Sequence, residues 1–379
     1  MAMILNEEQT LLRDSARDFV RDRGPVTAFR KLRDDQNPKG YDADLWKEMA
    51  ELGWAGVIIP EEFGGADFGF QGLGVVMEET GRTLMASPLM STIVLGSSAL
   101  LLGGTDNHRS SFLPAVAKGE CLMALAVDEG AHHAPYSVKT SAVADGDGWV
   151  LDGEKSLVLD GHVANQIVVS ARTSGSDNDR DGLSLFLVAA DQAGLDIETT
   201  TMVDSRNAAN VTLKAVRVSE GQLLGTKDQG ADLLDAVLDR GRIALAAEML
   251  GAAQQVFEFT LEYLKERHQF GQPIGTFQAL QHRAVKMFGE IEICKSVVME
   301  ALTAVDENRE DVSTLASFAK AKVGEALHLI SSEGVQMHGG IGMTDEHDSG
   351  LYLKRARVAE HTFGSSAWHR DRFATLSGY

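Results

Sequence analysis

From residue 6 to about residue 119, apolar positions recur with helical spacing. In NEEQTLLRDSARDFVRDR, Leu11, Leu12, Ala16, Phe19 and Val20 share one face, and Asn6 stands where its side chain can cap the first turn. DADLWKEMAELGW repeats the pattern, with Gly53 as its stop signal. A glycine-rich loop, IIPEEFGGADFGF, then enters a further helix. From about residue 122 to 218 the pattern changes to strand-length runs: WVL, SLVLDG, QIVVSAR, LSLFLVAAD and NVTLKAVRV. DGDG (145–148) and DGEK (152–155) read as turns flanking WVL. Short strands with tight turns predict a sandwich or barrel. Beyond Leu224 helical periodicity returns in three long stretches, which predict an antiparallel bundle. The expected fold is α+β and mostly α: an N-terminal helical domain (1–120), a middle β-sandwich or barrel domain (121–222) and a C-terminal four-helix bundle (223–379).

Composition narrows the function classes. A chain of 379 residues is too long for one ordinary core, which agrees with several domains. Hydrophobic residues make up 44% and charged residues 24%, the balance of a soluble globular protein. The formal charge of −20 provides no basic face for nucleic acid. The N-terminal stretch lacks a signal-peptide profile, and MSTIVLGSSALLLGG falls short of a spanning helix. A cytoplasmic protein without membrane insertion is expected. Cys121 and Cys294 match no redox or metal spacing, and His132, His133, His361 and His369 match no metal motif. No metal is expected. There is no G-x-S-x-G elbow, P-loop or S-x-x-K motif, so hydrolase and nucleoside-triphosphatase readings lose their usual support.

Two segments carry candidate chemistry. RHQFGQPIGTFQALQH (267–282) joins two long helices. It reads as a helix end with a tight turn, or as Arg267, Gln269 and Gln278 converging on a phosphate or polar ring edge. QMHGGIG (336–342) is either a glycine-terminated helix or a place where backbone N–H groups approach a ligand closely.

These segments, with PEEFGG (60–65), LDGEKS (151–156) and the helix–β–helix order, resemble the acyl-CoA dehydrogenase family over essentially the whole chain. The resemblance implies a three-domain flavoenzyme, a tetramer, with FAD between the β domain and the C-terminal bundle. By matching motif positions, Arg267, Gln269, Phe270 and Gln278 would contact FAD across a dimer interface. Gln336, Gly339 and Gly340 would cover its pyrophosphate end. The implied reaction is α,β-dehydrogenation of an acyl-CoA thioester. A glutamate takes the α-proton, the β-hydride goes to the flavin, and a separate electron acceptor reoxidises it. Such a base must sit in a dry pocket that raises its pKa toward working pH.

Both family positions for that base are altered. Aligned through Gly364, the first holds Phe363, with Glu360 three residues earlier. The second falls on Gly241, beside Arg242. Where the family has a T-E-P-x-A-G-S-D-like run this chain has DEGAHHAP (128–135), keeping only Glu129, and LVL (157–159) replaces an aromatic W-I-T. Three readings follow. One is a self-sufficient homotetrameric dehydrogenase with a displaced base, for which Glu248, Asp239 and Glu360 are candidates. For Glu248 the alternative is an ordinary interhelical carboxylate. For Glu360 it is a surface pair with Arg355 or Arg357. The second reading is a base-lacking subunit of a hetero-oligomer, resembling those of bacterial pathways for bulky or steroid-like acyl-CoA chains. The third is a flavin-free binding or scaffold protein. The second leads, because the best-matching motifs are those that serve a neighbour's FAD.

Overall fold

The computed structural model describes residues 5–379. They fall into two compact units. One comprises the chain up to Lys31 with Phe70–Met85 and Arg242–Tyr379; the other comprises Leu32–Gly69 and Ala86–Gly241.

The helices of the N-terminal part are α1 (Glu7–Arg23), α2 (Val26–Asp34), α3 (Ala43–Glu51), α4 (Gly69–Arg82), α5 (Ser97–Gly103) and α6 (Asp106–Ala117). The start of α1 is the one its sequence predicts. Asn6 Oδ1 accepts from the Gln9 N–H while Gln9 Oε1 accepts from the Asn6 N–H, a reciprocal capping box. Helix α3 stops before Gly53, whose φ of 83° suits glycine. A wholly buried π-helical stretch, Leu89–Gly96, leads into α5.

The strands are β1 (Met123–Ala126), β2 (Ser141–Asp145), β3 (Gly148–Leu159), β4 (Gln166–Arg172), β5 (Leu183–Ala189), β6 (Leu195–Thr201), β7 (Asn207–Ser219) and β8 (Leu223–Leu224). They form one mixed sheet in the order β6-β7-β3-β2-β4-β5-β8, with β1 parallel to β4. Leu151, Ile167, Val169, Phe186, Val211 and Val216 from these strands share one apolar core. The segment read as a second turn, residues 152–155, lies inside β3. There the register shifts between Leu151 and Gly153 because β7 carries an extra residue, Lys214 and Ala215 standing opposite Asp152 alone. Gly153, at φ 155°, lies so near Thr140 that a Cβ would come within 2.4 Å of its hydroxyl. Gly153 is thus required by close approach of another strand, not by a turn.

The C-terminal part has α7 (Gly230–Glu266), a two-residue-stranded hairpin of β9 (His268–Gln269) and β10 (Gln272–Pro273), α8 (Gln278–Asp306), α9 (Val312–His338), α10 (Ser349–His361) and α11 (Ser366–Leu376). Helix α9 packs against α8, α10 and α11. Helices α4 and α7 cross at bare glycines. A Cβ on Gly251 would lie 1.8 Å from the Glu78 carbonyl oxygen, and one on Gly81 2.0 Å from that of Glu248. This crossing holds the part of α7 that carries Glu248. Among the described residues no helix is long and apolar enough to cross a membrane.

Candidate active site

Helix α7 ends just before Arg267. Strands β9 and β10 pair antiparallel across Phe270 and Gly271, both left-handed at φ 57° and 83°. Two positive φ values in a two-residue loop match the right-handed twist of a hairpin. Phe270 is consequently thrust outward and is 89% exposed. Ile274 N–H closes the hairpin base on the Arg267 carbonyl at 2.8 Å. The side chains of Arg267, Gln269 and Gln278 are exposed, and within the described residues none has a hydrogen-bond or ion-pair partner.

Helix α9 ends at His338, and Gly339–Met343 continues as a 3-10 turn. Gln336, Gly339 and Gly340 are exposed. A Cβ on Gly339 or Gly340 would meet nothing within 4 Å, so packing does not require either glycine, although the backbone of Gly339, at φ 64° and ψ −136°, favours one. Gly342 differs, because a Cβ there would lie 2.6 Å from the Val335 carbonyl. Behind the turn, His338 Nδ1–H donates to the Gly334 carbonyl at 2.6 Å, and burial lowers the pKa of its imidazole.

In the other unit the DEGAHHAP loop is built by two consecutive carboxylates. Asp128 accepts from the Ala134 N–H and pairs with His133 Nδ1, both at 2.9 Å. Glu129 accepts from the N–H groups of Lys139 (2.7 Å) and Thr140 (2.9 Å) and from Lys155 Nζ (2.8 Å). Burial pushes Lys155 down to about 8. Burial alone would raise the Glu129 carboxyl, but Lys155 and the Thr140 donors outweigh it and hold it low. Leu157 sits in the left-handed region at φ 53° and is 45% exposed.

Neither residue expected at a base position, Phe363 or Gly241, is a carboxylate. Helix α10 ends at His361, and the chain turns at Phe363 (φ 60°) and Gly364 (φ 111°). A Cβ on Gly364 would lie 2.7 Å from the Trp368 ring. Gly241 lies inside α7. Glu248 is buried, and its Oε1 accepts from Arg355 Nη2 at 2.9 Å and Nε at 3.0 Å. Asp239 is also buried in α7. Glu360 turns its carboxylate to His328 Nδ1 (3.2 Å) and Arg357 Nη1 (3.3 Å). Of the two arginines considered for Glu360, Arg357 is the one it meets; Arg355 belongs to Glu248.

Sequence reasoning missed the groups that hold this turn. Arg242 Nε donates to the Phe363 carbonyl at 3.2 Å, and His369 Nε2–H donates to the same oxygen at 3.0 Å. Lys320 Nζ donates to the carbonyls of Glu360 (3.0 Å) and Gly364 (3.1 Å). The only available signal was a lysine set among small apolar residues in SFAKAKVGEA.

Three family models cover nearly the whole chain: the acyl-CoA dehydrogenase N-terminal domain over residues 6–120, the middle domain over 124–216 and the C-terminal domain over 228–376. The chain belongs to the acyl-CoA dehydrogenase family. A probable acyl-CoA dehydrogenase of Bacillus subtilis, YngJ, is 31% identical over 97% of each chain. The acyl-CoA dehydrogenase IpdE2 of Mycobacterium tuberculosis is 32% identical over 92% of this chain and 91% of its own. Among solved structures, a variant of the Tcur3481–Tcur3483 steroid ACAD is 34% identical over 98% of each chain, with a TM-score of 0.88.

Acyl-CoA dehydrogenases are FAD-binding oxidoreductases that act on the CH–CH bond of an acyl-CoA. The donors present suit that cofactor. An unpartnered guanidinium offers forked donors to phosphate, glutamine amides read polar ring edges, and bare glycines let a pyrophosphate reach backbone N–H groups. FAD, when bound, supplies the hydride acceptor. Arg267, Gln269 and Gln278 would hold and orient it.

Proposed function

We propose that this chain is the base-lacking subunit of a hetero-oligomeric acyl-CoA dehydrogenase and completes a neighbour's FAD site through Arg267, Gln269, Phe270 and Gln278. In this reading Gln336, Gly339 and Gly340 cover a pyrophosphate. The observation that carries it is the contrast between two places. The side chains of Arg267, Gln269 and Gln278 are exposed and, within the described residues, unpartnered, while the turn after α10 presents Phe363. A carboxylate can take an α-proton; a phenyl ring cannot. Two of the three candidates for a displaced base are engaged with cations or an imidazole: Glu248 with Arg355, Glu360 with His328 and Arg357. The likeness to a steroid ACAD whose designation joins two proteins supports the same reading and favours a bulky, ring-bearing acyl group.

Purification tests it. The chain alone should be flavin-poor and inert toward acyl-CoA. Co-purified with a homologous subunit that keeps the glutamate, it should be yellow and bleached by a ring-bearing acyl-CoA. A yellow homotetramer that is bleached by acyl-CoA and loses this on Glu248→Gln would sink the proposal and establish the displaced-base reading. A chain colourless under both conditions would favour the flavin-free scaffold.

Within the complex, Arg267→Ala removes a charged donor, worth about 1.5–3 kcal/mol per hydrogen bond to a charged group. Flavin should dissociate at least about ten-fold more readily, measured by fluorescence release on dilution. Unchanged retention would remove Arg267 from the cofactor site.

A further inference from the structure

The end of α10 is held by an arrangement that none of its own side chains explains. Helix ends leave carbonyl oxygens without intrahelical partners. Here the carbonyl of Glu360, in the last turn of α10, and those of Phe363 and Gly364, in the turn that follows, are met by side chains from three other helices: Arg242 of α7, Lys320 of α9 and His369 of α11. All three donors are buried, at 0%, 1% and 0% exposure. The Arg242 guanidinium also lies over the Trp368 ring, 4.8 Å from its centroid.

Lys320 is the unusual member. It donates to carbonyl oxygens and, among the described residues, forms no ion pair with a carboxylate. A buried ammonium without a counter-ion is costly, so its hydrogen bonds must achieve something an apolar residue would not. Burial, with Arg242 and Arg355 nearby, pushes its pKa down to about 7. His369 is used differently. With Nε2–H committed to the Phe363 carbonyl, its Nδ1 is a buried lone pair without a partner. A second proton there would be an unpaired buried charge, and burial, followed by Arg242 and Lys320, holds the imidazole neutral.

What these donors enforce is a left-handed backbone at a bulky residue. An aromatic side chain does not choose φ 60° by itself, and such a conformation persists where its surroundings over-determine it. We propose that Lys320, with Arg242 and His369, is the positioning group of this turn, fixing the direction of side chain 363 from outside the turn. The proposal rests on residue 363 being the family's base position. On that reading the turn holds a phenyl ring where the base is expected, within the same frame of donors.

Hydrogen–deuterium exchange tests the frame without any chemistry. In Lys320→Met, residues 362–366 should lose protection at least about ten-fold while α8 exchanges as before. Should that variant not fold, His369→Leu removes a donor from the Phe363 carbonyl and His369→Gln can restore one. Leu should loosen the same segment and Gln should restore it. Unchanged protection in both Lys320→Met and His369→Leu overturns the proposal.

A second readout uses Phe363→Glu in the FAD-loaded assembly, following uptake of solvent deuterium at the α-carbon of an acyl-CoA. The glutamate takes the α-proton and solvent returns a deuteron, so no oxidant is consumed. Adding Lys320→Met should lower this rate at least about ten-fold and move its acidic limb to higher pH. The moved limb reflects loss of a cation from a cluster that also holds Arg242, Arg355 paired with Glu248, Glu360 and the neutral His369. If Lys320→Met loosens the turn but Phe363→Glu exchanges nothing, residue 363 is not the base position and the clamp stands. If Phe363→Glu exchanges α-protons and Lys320→Met alters neither rate, limb nor protection, the clamp falls and the base position stands.

Discussion

Phe363→Glu should give this chain a working base. Solvent exchange of the α-proton of an acyl-CoA should rise by about 10²–10⁴-fold over the unsubstituted chain, the usual contribution of a well-placed general base. The turn needs no rebuilding, because Phe363 already pays the cost of a left-handed backbone and a glutamate would inherit it. The carbonyl of residue 363 remains held by Arg242 and His369 whatever side chain it bears. The measurement is best made in an assembly whose partner subunit has its own glutamate replaced by glutamine, so that only residue 363 can act. Activity equal to that of the unsubstituted chain would show that the missing carboxylate is not what limits it. A Phe363→Gln control should remain inactive, since glutamine matches the shape of glutamate without its basicity.

Arg355→Ala should be among the most destabilising single changes in the C-terminal bundle. It takes the Arg355 guanidinium away from a carboxylate buried between helices. Removing one partner of a buried pair costs about 3–5 kcal/mol, because the other charge has no solvent to return to. Glu248→Gln should cost less, and Arg355→Met combined with Glu248→Leu less still, because two apolar groups of similar volume leave no stranded charge. Urea unfolding of the four proteins decides this. Equal losses in Arg355→Ala and the double variant would mean that packing, not charge, is what Arg355 supplies. The same series bears on catalysis: a carboxylate whose task is to neutralise Arg355 can become glutamine without changing α-proton exchange.

Local features were legible where local physics decides them. The Asn6 cap, the stop at Gly53 and the end of α7 before Arg267 each follow from side chains within a turn of the boundary. The misread segment at 152–155 fails for the opposite reason. Gly153 is required by Thr140, on another strand, and nothing adjacent in sequence reveals that. Likewise Glu360 and Arg357 are neighbours on one helix and their pairing was foreseeable, whereas Glu248 and Arg355 are 107 residues apart.

The sequence alone determined the helix–β–helix order, the segment from Arg267 to Gln278 that joins two long helices, the glycine cluster after α9 and the absence of a carboxylate at residues 241 and 363. These depend on residue identity and short-range spacing. The tertiary structure alone decided that Glu248 is committed to Arg355, that the turn at Phe363 is left-handed, and that Lys320, Arg242 and His369 hold it. Burial and long-range donors create those features, and both come into being only when distant helices pack.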